Sequence, residues 1–506
     1  MKNINLLFVF FLMIGNLNAQ RLINPKEEET DLFSEEQKET FEQFRSNTQD
    51  IKWIQLDRIE GSIDEEGYIN FQLPDSGDSY RMKITRSEVE DENNYTYSAQ
   101  SQDEEGEPTG DDLILVNAGG YISGTVQVGG DLFRIIPISS ETQILVKSGL
   151  ETPNWCDTKD IESELPNIGE CAMGSDGCLI KIMYVVDSDK ETIKFLSKNA
   201  IISQCKLWTE DINTTLKNSE VKHKFQLVWV EFLTDPMPFK DGDCSLSKDA
   251  FKTTYMTNTT STVAMAKQQS EADIVIFLTT RNSLFAKCEL GGSAFALAPK
   301  KPENAFAVVN LDAAMKWFTV THEVGHLLGG LHEDGVSPAQ AHQFSVKGNL
   351  TNTMMHTDKI NGTRVKYFSN PKVTINKTPT GTNDRNNACV IQNQGCITSK
   401  LVADDKCTLT LNGIFDKTCS PTKIDLSVAS NVPLNCLKSA NYLFEYSTDG
   451  KTFKTAYSGS NPKCTVKLTP NTKNYTVFVR VTVFNSTSPL ASDKVYGSFD
   501  IRGCKS

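Results

Sequence analysis

The stretch His322-Glu323-Val324-Gly325-His326-Leu327-Leu328-Gly329-Gly330-Leu331-His332 decides how this chain is read. Its pattern is H-E-x-x-H-x-x-G-x-x-H, and it takes three of the chain's six histidines. On a helix His322 and His326 lie one turn apart on the same face, because side chains four apart are neighbours. Two imidazoles so placed can hold one metal ion, and Glu323, beside the first of them, can reach a water there. Gly329 lets the chain leave the helix through a conformation that a β-carbon resists. That turn can bring His332 back as a third ligand. Three nitrogen ligands leave a fourth position open, the arrangement of a catalytic and not a structural zinc site. The reading is one catalytic Zn2+ held by His322, His326 and His332, with Glu323 as general base.

Such a site activates water and polarises a carbonyl, so no serine or cysteine nucleophile is required. Glu323 accepts the water's proton and later delivers it to the leaving amine. The ligating histidines must be neutral to bind. His223, His342 and His356 lack ligand spacing. The first two read as surface or loop residues, and His356 is given no role.

The extended motif resembles the metzincin zinc metalloendopeptidases, in which a methionine turn follows it. Asn352-Thr353-Met354-Met355-His356 supplies the turn, with Met355 as the residue that floors the zinc site in that family. Downstream, Val365-Lys366-Tyr367-Phe368-Ser369-Asn370-Pro371 resembles the bacterial reprolysin-like (adamalysin-like) branch. There such a segment walls the substrate pocket, so the resemblance implies substrate contacts for Tyr367 and Phe368. Glu333 stands where reprolysins carry Asp and astacins carry Glu. The resemblance also implies a twisted, mostly parallel five-stranded sheet whose antiparallel edge strand pairs with substrate. Gly291 to Ala296 falls where that strand belongs, which gives Gly292 and Ala294 as substrate-binding residues.

With 506 residues the chain has room for two to four domains. A net charge of −13 argues against nucleic acid and against anionic membranes as partners. Residues 1–19 read as a signal peptide: Lys2, then an apolar run from Leu6 to Ile14, then Leu17-Asn18-Ala19 before the cleavage point. No later segment has the length and apolarity of a transmembrane helix. The expected product is secreted. Thirteen cysteines suit an oxidising compartment, and the odd count leaves one over. Spacing alone allows local pairs such as Cys171–Cys178 and Cys389–Cys396.

Residues 20–170 carry no cysteine before Cys156 and read as a β-rich propeptide, with a hairpin signature from Tyr121 to Ile138. Glu88 to Asp112 reads as a loop or a disordered insert. The segment resembles reprolysin propeptides, which implies a zymogen. Cys156, in Pro153-Asn154-Trp155-Cys156-Asp157, is a possible zymogen switch, because a thiolate can take the open metal position. The α/β metzincin-like zinc protease domain spans 178–403. Its expected parts are strands at Leu179–Val186, Phe225–Phe232, Ala272–Leu278 and Phe306–Asn310. Helices are expected from Glu191 to Leu216 and from Leu246 to Gln269, and Asp312 as N-cap of the zinc helix. From 407 to 506 short alternating strands, with a turn at Asp449-Gly450, suit an immunoglobulin/fibronectin-III-like β-sandwich.

The function so read is a secreted zinc endopeptidase acting on protein or peptide. A catalytically inactive zinc-binding adhesin using the C-terminal sandwich is the alternative, and retention of Glu323 weighs against it. A zinc hydrolase of other substrates is the third class, against which the edge strand weighs. The sequence does not support a Ca2+ site, and it leaves the oligomeric state open.

Overall fold

The computed structural model describes residues 22–148 apart from 47, 49, 75 and 76, then 176–187, 195–234, 244–279, 291–357 and 362–402, and the strands between 409 and 501. The signal peptide, Cys156 and the Asp449-Gly450 turn lie outside the described residues. The chain divides into two compact units, Met1–Val402 and Ala403–Ser506.

The centre of the first unit is a five-stranded sheet. Its strands run in the order Lys224–Phe232, Leu179–Val186, Ile274–Thr279, Phe306–Asn310 and Gly292–Ala294. The first four are parallel and the last is antiparallel to its neighbour. Ile274 to Leu278 is an unbroken apolar run because both faces of that strand are covered. Ile182, Tyr184, Ile274, Ile276 and Leu278 face one layer, and Met183, Val185, Val275 and Phe277 face the other. The first layer is the helix Lys198–Asn218, which presents Ile201, Cys205, Trp208, Ile212 and Leu216 at helical spacing. Ser197 caps it by accepting from the Ala200 N–H at 3.2 Å.

The expected single helix from Leu246 to Gln269 is broken in two. Cys244–Phe251 ends in a wide turn over Lys252–Met256, and Thr262–Ser270 starts afresh. Asn258 Oδ1 accepts from the Thr260 N–H at 3.2 Å, and Ser261 Oγ from the Ala264 N–H at 3.0 Å. These side chains compete with the helix for its backbone groups, and the chain restarts there.

A second correction concerns Glu88 to Asp112. The region forms neither a loop nor a disordered insert. It supplies the end of Ser79–Asp91, all of Asn94–Gln102 and the start of Pro108–Ala118, strands inside a nine-stranded antiparallel sheet. Tyr95, Tyr97 and Ala99 alternate into its core. Several acids serve the turns: Asp91 Oδ1 accepts from the Asn93 N–H at 2.8 Å, and Asp103 Oδ1 from the Glu107 N–H at 2.9 Å. Acidic composition here marks mostly turns and an exposed face, with Asp112 the buried exception.

This sheet packs on the helix Lys198–Asn218 and shares core with it. Ile114 and Val116 meet Leu207, and Trp53, Ile136, Ile144 and Val146 join the cluster that holds Phe195 and Trp208. Charged groups cross the same boundary while buried. Arg134 Nη1 lies 2.6 Å from Asp211 Oδ2, and Lys366 pairs with both Asp112 and Asp211.

The second unit holds two antiparallel sheets among the described residues. One orders Leu409–Phe415, Lys423–Ser430 and Lys463–Lys467; the other Lys454–Gly459, Ala440–Ser447, Tyr475–Asn485 and Ser488–Ile501. No helix among the described residues is long and apolar enough to cross a membrane.

The local disulfides allowed by spacing do not form. Cys178 pairs with Cys396, with Cα atoms 5.2 Å apart, and so ties the first central strand to the helix Asn387–Thr398. Cys389 is in a disulfide as well. Tertiary contact, which spacing does not reveal, chose the partner. Among the described residues Cys205 and Cys464 are free, and both are buried.

Candidate active site

The zinc motif occupies a helix of its own, Thr319–Leu327. Asp312 is not its cap. Asn310 Oδ1 accepts from the Ala313 N–H at 3.1 Å and caps a separate short helix, Leu311–Lys316. The two helices part at Trp317, whose backbone is extended and whose carbonyl accepts from Arg134 Nη2 at 2.7 Å. Gly329 then turns at φ +89°, and the N–H groups of Gly329 and Gly330 close on the carbonyls of His326 and Gly325, each at 2.8 Å.

That reversal brings the three imidazoles together. His332 Nε2 lies 3.0 Å from His322 Nε2 and 3.0 Å from His326 Nε2. The other ring nitrogens fix the tautomers. His322 Nδ1–H donates to the Met354 carbonyl at 3.1 Å, and His326 Nδ1–H to the Gly330 carbonyl at 2.8 Å. A carbonyl only accepts, so both Nδ1 atoms carry the proton and both Nε2 atoms present bare lone pairs. One proton on His332 could serve only one of them. A shared cation satisfies all three, so the donor set fits a metal ion.

Burial holds the rings neutral. His322 is pushed well below the usual imidazole pKa by desolvation and then by His326 and His332, and His326 by desolvation and then by His332. His332 is pushed down to about 3, by burial first and then by the charge of Arg364. Neutral imidazole is the form that binds metal.

Glu323 is fully buried beside this cluster, and its Oε2 accepts from the Ala294 N–H at 2.7 Å. Ala294 belongs to the antiparallel edge strand, and its pairing with Ala307 turns its N–H and carbonyl away from the neighbouring strand. A β-carbon on Gly292 would stand 2.8 Å from Glu323 Oε1, so only glycine lets the edge strand approach the carboxylate this closely. Lys248 Nζ, from the helix Cys244–Phe251, donates to Ser293 Oγ at 3.0 Å and holds the strand.

Met355 is buried against the zinc helix. A β-carbon on Gly325 would fall 2.3 Å from its Sδ, so the helix surrenders a side chain there to admit the methionine. Phe368 is buried in the same cluster, its N–H bonded to Ser219 Oγ at 2.7 Å. Tyr367 lies apart with Phe344, Val365, Val373 and Ile375, and its hydroxyl accepts from Gln100 of the N-terminal sheet at 2.8 Å. Glu333 clamps the chain beyond the turn: its carboxylate accepts from the Thr357 N–H at 2.9 Å and hydroxyl at 2.6 Å.

The remaining histidines stand elsewhere. His223 is buried, not a surface residue: Nδ1 accepts from the Cys178 N–H and Nε2 donates to the Gln392 carbonyl. With Cys178 and Cys396 joined in a disulfide, that cluster offers no metal site. His342 is partly buried and stacks on Phe344. Two contributors escaped the sequence reading. Gly325 stands at a variable position of the motif, and Arg364 is remote from it. Only the tertiary approach of Met355 and of His356 reveals them.

Residues 202–333 match the model of the family described as metallo-peptidase family M12B, reprolysin-like. A peptidyl-Asp metalloendopeptidase of Xanthomonas campestris pv. campestris is 23% identical over 295 residues, 56% of this chain and 66% of that protein. One of the same name from Stenotrophomonas maltophilia is 24% identical over 291 residues, 54% of this chain. The match thus spans 66% of the length of these two curated relatives. The solution structure of a human fibronectin type-III domain covers 18% of this chain at 21% identity, with a TM-score of 0.14, too low to carry an argument. The resemblance first carried by residues 322–332 is therefore to bacterial reprolysin-like metalloproteases, and it extends upstream to residue 202.

Proposed function

We propose that the chain is a zinc-dependent endopeptidase. The observation that carries this reading is the convergence of three imidazoles, the bare Nε2 atoms of His322 and His326 each 3.0 Å from His332 Nε2, beside a carboxylate anchored on an edge strand. Zinc fits a set of three neutral imidazoles, and when bound it lowers the pKa of a water and polarises a carbonyl. Glu323 takes the proton of the attacking water and returns it to the leaving amine nitrogen. Its bond from the Ala294 N–H aims the carboxylate and couples it to the strand along which an extended peptide would lie. The relatives are named for peptidyl-Asp, and we carry a preference for bonds beside aspartate to this chain as part of the reading.

The same reading makes the protein exported and latent. Residues 1–19 direct export, and the Cys178–Cys396 disulfide is consistent with an oxidising destination. Residues 20–170 act as propeptide, with Cys156 as the thiolate that occupies the open position. The unit beyond 402 serves as an immunoglobulin-like appendage. Cys156→Ser in the full chain should be active without cleavage; unchanged latency, with activation still obtained on removing the N-terminal region, discards Cys156 as the switch.

Glu323→Ala tests the central claim. The variant should retain zinc, measured by metal analysis, and lose roughly 10² or more in kcat/KM on a peptide substrate. Equal turnover by variant and parent would refute the role of Glu323. Full activity after complete chelation would refute the metal.

A further inference from the structure

We propose that Lys248 is a positioning residue for Glu323, and that it acts through Ala294, the edge-strand residue whose outward backbone groups the two side chains hold between them. The proposal rests on the peptidase reading above.

Lys248 lies on the helix Cys244–Phe251, which packs on the face of the central sheet remote from the zinc helix. Phe251 fixes the end of that helix, its ring centroid 4.6 Å from that of Phe277 and 5.0 Å from that of Phe306. Lys248 stands three residues earlier and so shares a helix face with Phe251. From there its Nζ reaches the edge strand, donating to Ser293 Oγ at 3.0 Å and to the Ala294 carbonyl at 3.4 Å, with the side chain buried. Glu323 arrives from the other face, on the helix Thr319–Leu327, and accepts from the Ala294 N–H at 2.7 Å. One residue of a three-residue strand thus has its N–H on a buried carboxylate and its carbonyl on a buried ammonium.

The strand is short enough to need both. Gly292–Ala294 pairs with Phe306–Asn310 on one side and, among the described residues, with no strand on the other. Bonds from the Asn310 N–H to the Gly291 carbonyl at 2.8 Å and from the Phe295 N–H to the Phe306 carbonyl at 2.9 Å tie its ends to the sheet. The two outward groups of Ala294 then set where the strand sits against Glu323. These two grips differ in the course of a reaction. Glu323 is an anion before it takes the water's proton and a neutral acid afterwards, and an ionised acceptor holds an N–H about twice as strongly as a neutral one. The ammonium of Lys248 is no party to that transfer, so its grip stays constant. It keeps Ala294 in place, and with it the carboxyl, while Glu323 holds the proton destined for the leaving nitrogen. The field of the cation also favours the carboxylate in a setting that water does not screen, and it reaches His326 as well. A carbonyl oxygen carries two lone pairs, so the long bond from Lys248 leaves Ala294 able to accept from a peptide laid along the edge. Substrate need not displace the lysine, and the effect falls on turnover and not on affinity.

The test uses the zinc-loaded full chain carrying Cys156→Ser, and a short peptide. Lys248→Met, similar in length and apolar, should lower kcat about 10-fold or more and leave KM within about twofold of the parent. Zinc content and melting temperature should match the parent's. Lys248→Arg, which restores a cation with donors, should recover most of the loss. Ser293→Ala, which removes the nearer anchor of Lys248, should repeat part of it. An unchanged kcat in Lys248→Met overturns the proposal. So does a loss confined to KM, or one that only follows a fall in zinc content or melting temperature. If Lys248→Met does not fold, Lys248→Arg and Ser293→Ala are read by the same split between kcat and KM. Amide hydrogen exchange separates this proposal from the reading beneath it. If the parent cleaves no peptide, the peptidase reading fails. Faster exchange over residues 292–296 in Lys248→Met, with 319–327 unchanged, then still upholds the hold on Ala294, and equal exchange defeats it.

Discussion

Two buried polar clusters in residues 1–402 are built on opposite principles. The histidine cluster is neutral and incomplete: backbone carbonyls orient His322 and His326 so that their bare nitrogens meet His332 Nε2 at one point. The second cluster is charged and complete. Asp112 and Arg134 from the N-terminal sheet meet Asp211 on the helix Lys198–Asn218 and Lys366 beyond Met355, two charges of each sign and all nearly inaccessible. The first gains its balancing charge from outside, which suits a site that must bind something. The second balances itself across a boundary in the fold, and so fastens the N-terminal sheet to the helix Lys198–Asn218 and to the segment beyond Met355. Each contributor to that boundary is itself neutral, one acid and one base, so the N-terminal sheet can part from the rest without leaving a net charge on either side.

The largest effect expected from disturbing this contrast is in the charged cluster. Arg134→Met removes one cation and leaves Asp211 buried with Lys366 3.5 Å away. It also strips the Trp317 carbonyl of its partner. Breaking a buried pair on one side costs about 3–5 kcal/mol. The check is the denaturant midpoint of the variant against the parent at equal slope. The double change Arg134→Met with Asp211→Leu should recover much of the loss, because well-packed apolar replacements of a buried pair are often neutral. A single variant as stable as the parent would mean that the cluster holds nothing.

The same contrast explains what the sequence made legible. The histidine ligands, Glu323 and the exit at Gly329 lie within eleven residues, so helical spacing places them without knowledge of the fold. The central strands were legible because a strand covered on both faces is apolar throughout, as Ile274 to Leu278 is. The charged cluster draws on positions 112, 134, 211 and 366, and no local pattern relates them. Cys178 finds Cys396 across 218 residues, which defeated spacing for the same reason. Composition misled at Glu88 to Asp112, where most acids lie on turns and an exposed face, Asp112 is buried against Lys366, and Tyr95, Tyr97 and Ala99 carry the strand. The break before the zinc helix at Trp317 follows a contact with Arg134 and left no trace in helix propensity.

A smaller effect is expected on the floor of the histidine cluster. Gly325→Ala favours the helix by up to about 1 kcal/mol in propensity. Against this, the new methyl overlaps Met355 Sδ at 2.3 Å and crowds Phe368 Cε1 at 3.1 Å. Overpacking of this kind costs about 1–3 kcal/mol, and the flexibility of methionine keeps it towards the lower part of that range. The sum is a loss of at most about 1 kcal/mol with weaker zinc retention, read from the melting temperature and from zinc release to a competing chelator. A variant that melts higher and holds zinc as well as the parent would show that Met355 has room to move, and that the glycine is not a packing requirement.

The smallest effect belongs to Asp111, the neighbour of Asp112 on the strand Pro108–Ala118 and its opposite in circumstance. Asp112 has Lys366 against it, whereas Asp111 accepts one backbone bond, from the Gly129 N–H at 3.0 Å, and feels Lys347 only weakly. Burial pushes its carboxyl from 3.8 up to about 6, with the charge of Asp112 adding to the shift. The folded state therefore binds the proton more tightly than the unfolded chain, and stability falls as pH rises from about 4 through about 6. A shift of this size corresponds to about 3 kcal/mol, and partial exposure with solvent screening reduces it to about 1–2. Asp111→Asn keeps the acceptor for Gly129 and removes the charge. It should stabilise the protein by about 1 kcal/mol at pH 7.5 and by nothing measurable near pH 4, as paired unfolding curves at the two values would show. A gain equal at both pH values would assign the effect to packing. A loss at pH 7.5 would mean that the carboxylate has a cationic partner as effective as the one Lys366 provides for Asp112, and that the two neighbours do not differ in kind.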